Sequence, residues 1–130
     1  MVPLFKKDMK LLEKVQHRVT KMMTDLRDKP YEDRLRALHW TTLETRRIRS
    51  DLIEAFKIKK GHVDVDYSSF FSLGGGVLRG HSMKLFKPRC RTNLRKNIFS
   101  NRVVDLWNDL DQDIIDSINV NSFKNKLDNF

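Results

Sequence analysis

Apolar residues between positions 8 and 26 return at steps of three and four: Met9, Leu12, Val15, Val19, Met22 and Leu26. That step lines one face of an α-helix. It predicts a helix that turns this stripe toward a core and leaves Lys10, Lys14, Arg18 and Lys21 in solvent. Asp28-Lys29-Pro30 ends the helix, because a residue before proline is pushed out of the helical region. Positions 31–38 read as a short second helix with Leu35 and Leu38 inward, and Trp40 follows in a tight connection. Thr41-Thr42-Leu43-Glu44 has the form of a capping box, in which Thr and Glu each take a free N–H. The helix it opens runs to about position 60, buries Leu43, Ile48, Leu52, Ile53 and Phe56, and stops at Gly61. Helices joined this closely pack as a bundle.

The pattern changes after Gly61. Positions 61–80 read as a linker with a single turn at 67–71 and the run Gly74-Gly75-Gly76. Glycines cradle phosphate when a strand precedes them and a helix with Lys-Ser/Thr follows. Here Val77-Leu78-Arg79-Gly80 follows, so the run reads as a flexible connection. Asp64 and Asp66 lack a third carboxylate nearby and read as loop and N-cap positions.

From position 83 the period is two. Met83, Leu85 and Lys87 alternate with Lys84 and Phe86 as in a strand, which Pro88 ends or confines to an edge. A second extended piece at 91–96 would complete a hairpin. Ser100 then reads as the N-cap of a helix with Val103, Leu106, Trp107 and Leu110 on one face. A turn at 112–117 carries Ile114 and Ile115, and Asn121 caps a last helix with Phe123 and Leu127. Trp107, Phe99, Leu110 and Phe123 are expected to meet in a small core. The predicted fold is mainly α with a small β-hairpin. A three-helix bundle (1–60), a linker (61–80) and a basic hairpin with two or three short helices (81–130) make one compact unit.

Charge is blocked along the chain. The formal net charge is +9, and residues 79–102 hold Arg79, Lys84, Lys87, Arg89, Arg91, Arg95, Lys96 and Arg102 with no Asp or Glu. Residues 103–130 carry two Lys and six Asp. Excess positive charge concentrates a polyanion such as nucleic acid. Met83, Leu85, Phe86, Leu94, Ile98 and Phe99 are threaded through the basic block, so it can bury one side and hold cations outward, unlike a disordered tail.

Other chemistry finds little support. Cys90 is the only cysteine, and His17, His39, His62 and His81 show no ligand-like pairing, so neither a disulfide nor a metal site is expected. No cofactor motif and no nucleophile spaced with its base emerges. No apolar run approaches the ~20 residues of a membrane span, and the first residues are too short an apolar stretch for a secretory signal. An intracellular protein of nucleus or cytoplasm, not secreted, is the expectation, with no membrane and no small-molecule substrate.

Six short motifs, in order, resemble one family. They are Leu12-Glu13-Lys14-Val15-Gln16-His17-Arg18-Val19-Thr20-Lys21; Tyr31-Glu32-Asp33-Arg34-Leu35; Leu43-Glu44-Thr45-Arg46-Arg47 with Asp51-Leu52-Ile53; Arg79-Gly80-His81-Ser82 with Lys87-Pro88-Arg89; Phe99-Ser100-Asn101-Arg102-Val103-Val104 with Trp107-Asn108 and Leu110; and Ser122-Phe123-Lys124 with Leu127-Asp128. Together they look like the C-terminal region of the reverse transcriptase frames of non-LTR retrotransposons, of the jockey-like and chicken-repeat-like kind. The resemblance covers nearly the whole chain. Pro3-Leu4-Phe5-Lys6-Lys7-Asp8 is similar to the stretch after the palm domain, which implies a chain that begins inside a longer frame. The sequence departs from the family at His17, Asp111 and Ile118, where a basic residue and two prolines are usual.

The resemblance implies a transposable-element fragment or remnant holding the end of the thumb and the region after it, which in such enzymes helps to hold RNA template and target DNA. The family's endonuclease and palm lie upstream, so no catalytic residues are expected here. The basic residues are expected to bind RNA or DNA through the phosphate backbone. Two alternatives stand beside that expectation: a structural piece docked on a polymerase palm without binding nucleic acid, and an enzyme in its own right.

Overall fold

The computed structural model describes residues 6–73 and 79–130. The glycine run and the Pro3-Leu4-Phe5 stretch lie outside the described residues. Seven α-helices occur among the described residues, so the chain is mainly α. It divides into two compact units, Met1–Ile48 and Arg49–Phe130.

The first unit holds α1 (Lys6–Lys21), a 3-10 turn (Thr24–Leu26), α2 (Tyr31–Ala37) and the start of α3 (Leu43–Lys59). Here the middle of α1 is reversed from the expected orientation, while Met9 is half-buried and Leu26, beyond the helix, is buried. Gln16 and Thr20 are its buried residues, whereas Leu12, Val15, Val19 and Met22 are 48%, 61%, 42% and 77% exposed. The cause lies in what faces the inward side. Gln16 Nε2 donates to the Tyr31 hydroxyl (3.1 Å) and to the Thr41 carbonyl (2.9 Å). The Tyr31 hydroxyl donates to one oxygen of the half-buried Glu13 carboxylate, and the Leu43 N–H donates to the other at 2.9 Å. Polar groups leaving water need partners, and on α1 the side chains able to supply them are the polar ones.

Both α2 and α3 end in a Schellman motif, where a left-handed residue lets two N–H groups close on the last turn. At α3 the Gly61 N–H donates to the Ile58 carbonyl (3.2 Å) and the His62 N–H to that of Lys57 (2.9 Å), with Gly61 at φ 70°. At α2 the left-handed position is His39 (φ 53°), and the N–H groups of His39 and Trp40 donate to the Arg36 and Leu35 carbonyls. The start of α3 departs from the expected box. Thr42, not Thr41, accepts the Thr45 N–H (3.2 Å), and the carboxylate comes from Glu13 rather than Glu44.

The second unit is built on the rest of α3, with a 3-10 turn (Tyr67–Ser69), α4 (Asn93–Asn97), α5 (Phe99–Asn108), α6 (Gln112–Ile115) and α7 (Val120–Leu127). Its core takes Leu52, Ile53 and Phe56 from α3, Val103, Val104 and Trp107 from α5, Ile114 and Ile115 from α6 and Phe123 from α7. Phe123 stacks on Phe56 with centroids 4.2 Å apart and lies 6.3 Å from the Trp107 ring. Trp107, Leu110 and Phe123 are buried as expected, while Phe99 is half-buried. His81 is buried beside Trp107. Its Nε2 donates to the Trp107 carbonyl at 2.8 Å and its Nδ1 accepts the Met83 N–H at 3.2 Å, which fixes the tautomer.

The hairpin is not formed. Among the described residues the strand pairing is one antiparallel bridge between Leu73 and Leu85, and the second expected strand, at 91–96, is largely helix α4. Thr92 starts that helix by accepting the Arg95 N–H at 3.3 Å, and Leu94, Arg95 and Lys96 are good helix formers. Two other caps shift: Ser100 lies inside α5, which starts from Ile98, and α7 is capped by Asn119 in place of Asn121. Asp66 caps the 3-10 turn as read from the sequence, its carboxylate accepting the Ser68 N–H and hydroxyl; those bonds lower its pKa.

Candidate nucleic-acid interface

The basic block lies in the second unit, where its eight cations meet different fates. Arg102 is taken by the fold. Its guanidinium makes a two-pronged ion pair with Asp51 (Nε to Oδ2 2.7 Å, Nη2 to Oδ1 2.8 Å), both side chains being largely buried. Its remaining nitrogen, Nη1, donates to the Asn97 carbonyl at the end of α4 (2.9 Å). Asp51 sits on α3, so Arg102 ties α4 to α3. Each of its three nitrogens makes a hydrogen bond in that role. Lys87 is exposed and pairs with Asp105 on α5. Lys84 is half-buried, and its stem lies so close over Gly80 (φ 108°) that a Cβ there would fall 2.6 Å from the Lys84 Cε.

Arg79, Arg89, Arg91, Arg95 and Lys96 are exposed and, among the described residues, make no ion pair. Four of them are grouped on 89–96, an extended arm that runs into α4. That helix is fastened by two neighbouring side chains of α5. The Asn101 amide donates to the Arg95 carbonyl at 2.7 Å, and Arg102 holds that of Asn97. Arg95 and Lys96 are therefore displayed on an anchored helix.

The stretch 83–86, ahead of the arm, is anchored too. The Asn108 side chain accepts the Leu85 N–H (2.8 Å) and donates to the Leu85 carbonyl (2.9 Å). The Phe86 N–H donates to the Ser72 carbonyl (2.8 Å), and the Trp107 indole to the Met83 carbonyl (3.0 Å). Leu85 is buried and its neighbour Phe86 exposed, as the period of two requires. Phe86 and Leu94 are exposed apolar residues among these cations, and the alternation of 83–87 carries the signal for Phe86.

Some other charges in this unit are internally used. Arg49 and Asp128 pair through two hydrogen bonds (2.6 and 2.8 Å), which lower the Asp128 pKa. Lys59 stands 4.0 Å over the Tyr67 ring, where burial lowers its own pKa. In the first unit a cavity of about 580 Å³ is lined by Met9, Leu12, Glu13, Thr42, Leu43 and Arg47, among others. No group of His, Cys, Asp and Glu among the described residues is placed to hold a metal ion, and none of their helices is long and apolar enough to cross a membrane. No protein-family model matches the chain, and comparisons with curated proteins and with solved structures each give no match.

Proposed function

We propose that the chain is a non-catalytic nucleic-acid-binding piece of a non-LTR retrotransposon reverse transcriptase, holding RNA or DNA by the phosphate backbone. The observation that carries the proposal is the group Arg89, Arg91, Arg95 and Lys96, exposed and, among the described residues, without carboxylate partners, the last two on the anchored helix α4 and the first two on the stretch that leads into it. Phosphate contacts by Arg and Lys give affinity without reading sequence. Lys87 and Arg102, named from the sequence as ligands, have carboxylate partners, so the proposal rests on the other cations.

Salt dependence tests it. Four phosphate contacts give a slope of log K against log salt of about −3.6 on duplex DNA and about −2.8 on single strands. Replacing Arg89, Arg91 and Arg95 together by Ala is expected to flatten the duplex slope by about 2 to 3, with thermal unfolding unchanged. Absence of binding to any RNA or DNA at ~50 mM salt, where such contacts are strong, would rule the proposal out.

A second role, docking on a polymerase palm, is favoured by the outward stripe Leu12, Val15, Val19 and Met22. Exposed contiguous apolar surface on a soluble domain marks a contact site. The two roles occupy different residues and are compatible.

A further inference from the structure

We infer that Phe86 is a base-stacking platform, and that the nucleic acid held at the neighbouring cations is a single strand with unpaired bases. The inference rests on the backbone-binding role proposed above. Phe86 is 56% exposed, yet its backbone and that of its neighbour are held by hydrogen bonds. The residue before it is gripped by the Asn108 amide on both its N–H and its carbonyl, and the Phe86 N–H is bonded to Ser72. Lys87 after it is tethered to Asp105, and Pro88 follows with its φ fixed.

A ring presented outward on a fixed backbone gives up burial and loses little freedom when a flat partner covers it. Scattered exposed apolar residues are ordinary on protein surfaces; this one stands three and five residues before the unpaired guanidinium groups of Arg89 and Arg91. Aromatic faces interleaved with cations fit single strands, whose bases stack while the phosphates meet the charges. A duplex keeps its base faces inside the stack and has nothing flat to offer the ring except at its ends. Charge complementarity favours a polyanion over an apolar protein groove.

The test uses the full chain and three probes with equal numbers of phosphates: oligo(rU), oligo(dT) and a DNA duplex, each followed by fluorescence anisotropy at fixed salt. Phe86→Ala is expected to weaken both single strands about five- to a hundredfold, leave the duplex unchanged and leave all three salt slopes as in wild type. Phe86→Trp should retain binding, and Phe86→Leu, apolar without a π-face, should behave like Phe86→Ala. Equal binding of Phe86→Ala and wild type to single strands would overturn the inference, as would an equal loss on strands and duplex, or Phe86→Leu binding like wild type. So would a Phe86-dependent affinity for anionic phospholipid vesicles exceeding that for the strands. Failure of the wild type to bind any of the three probes would remove the underlying role itself; binding to all three without dependence on Phe86 would leave that role standing and remove only the stacking.

Discussion

Helices α1 and α5 carry apolar residues at the same helical steps and use them in opposite directions. On α5, Val103 and Trp107 face inward and are almost fully buried against Phe123 and the rest of the second core. On α1, Val15 and Val19 face water, and the inward side is polar, made of Glu13, Gln16 and Thr20. Helical periodicity announces that a stripe exists. Which side of the helix meets the protein is decided by neighbours, and α1 meets polar ones: a tyrosine hydroxyl, a carbonyl and the free N–H at the start of α3.

The contrast is broken most forcefully at Trp107. Replacing it by Ala removes a buried ring from contact with Phe123 and His81 and deletes the indole bond to the Met83 carbonyl. A loss of about 3–5 kcal/mol is expected, measured by denaturant unfolding. A change near zero would mean that the second unit does not depend on an apolar core.

The second unit was the more legible of the two because its rules are local and mutually consistent. Val103, Trp107 and Leu110 share a face, Ile114 and Ile115 are buried in the short turn, Gly61 stops α3, and Asp66 caps its turn. What was missed there depended on single side chains. The expected hairpin became helix α4 because Thr92 supplies a cap, and Arg102 is drawn into an ion pair by Asp51, 51 positions away in sequence. The charge block in 79–102 was visible as a block; the ion pairs that Lys87 and Arg102 make were not. In the first unit the Glu13 contacts join residues 18 and 30 positions apart, and no periodicity reports them.

Glu13 is where the polar network should yield most. In Glu13→Ala the Tyr31 hydroxyl and the Leu43 N–H both lose their acceptor, for an expected cost of about 1–3 kcal/mol. The Tyr31 phenol offers a direct check. Burial first, and then its bond to Glu13, raise its pKa above the ordinary 10.0. A raised value in the folded state means that the stability linked to this proton is complete below pH 10 and falls as pH rises through the folded pKa. In a Tyr67→Phe background, where Tyr31 is the remaining tyrosine, Glu13→Ala should bring the phenol titration back toward 10.0. An unchanged titration and unchanged stability would show that the inward face of α1 holds by contacts other than these.

The smallest effect is expected where the sequence alone forecasts a large one. Val15 and Val19 sit at the centre of the stripe, and as core residues their replacement by Asp would place charges in an apolar interior, a severe loss. Since both face solvent, each substitution should alter unfolding by no more than about 0.5 kcal/mol apart from the lower helix propensity of Asp relative to Val, which is slight. Binding to nucleic acid should be untouched, because the cations assigned to it lie on 89–96 of the other unit. Unfolding of either variant would place the stripe in a core and restore ordinary amphipathicity to α1. A soluble, folded double variant would instead leave the stripe as a surface awaiting a partner, and loss of association with a polymerase palm in that variant would identify which partner covers it.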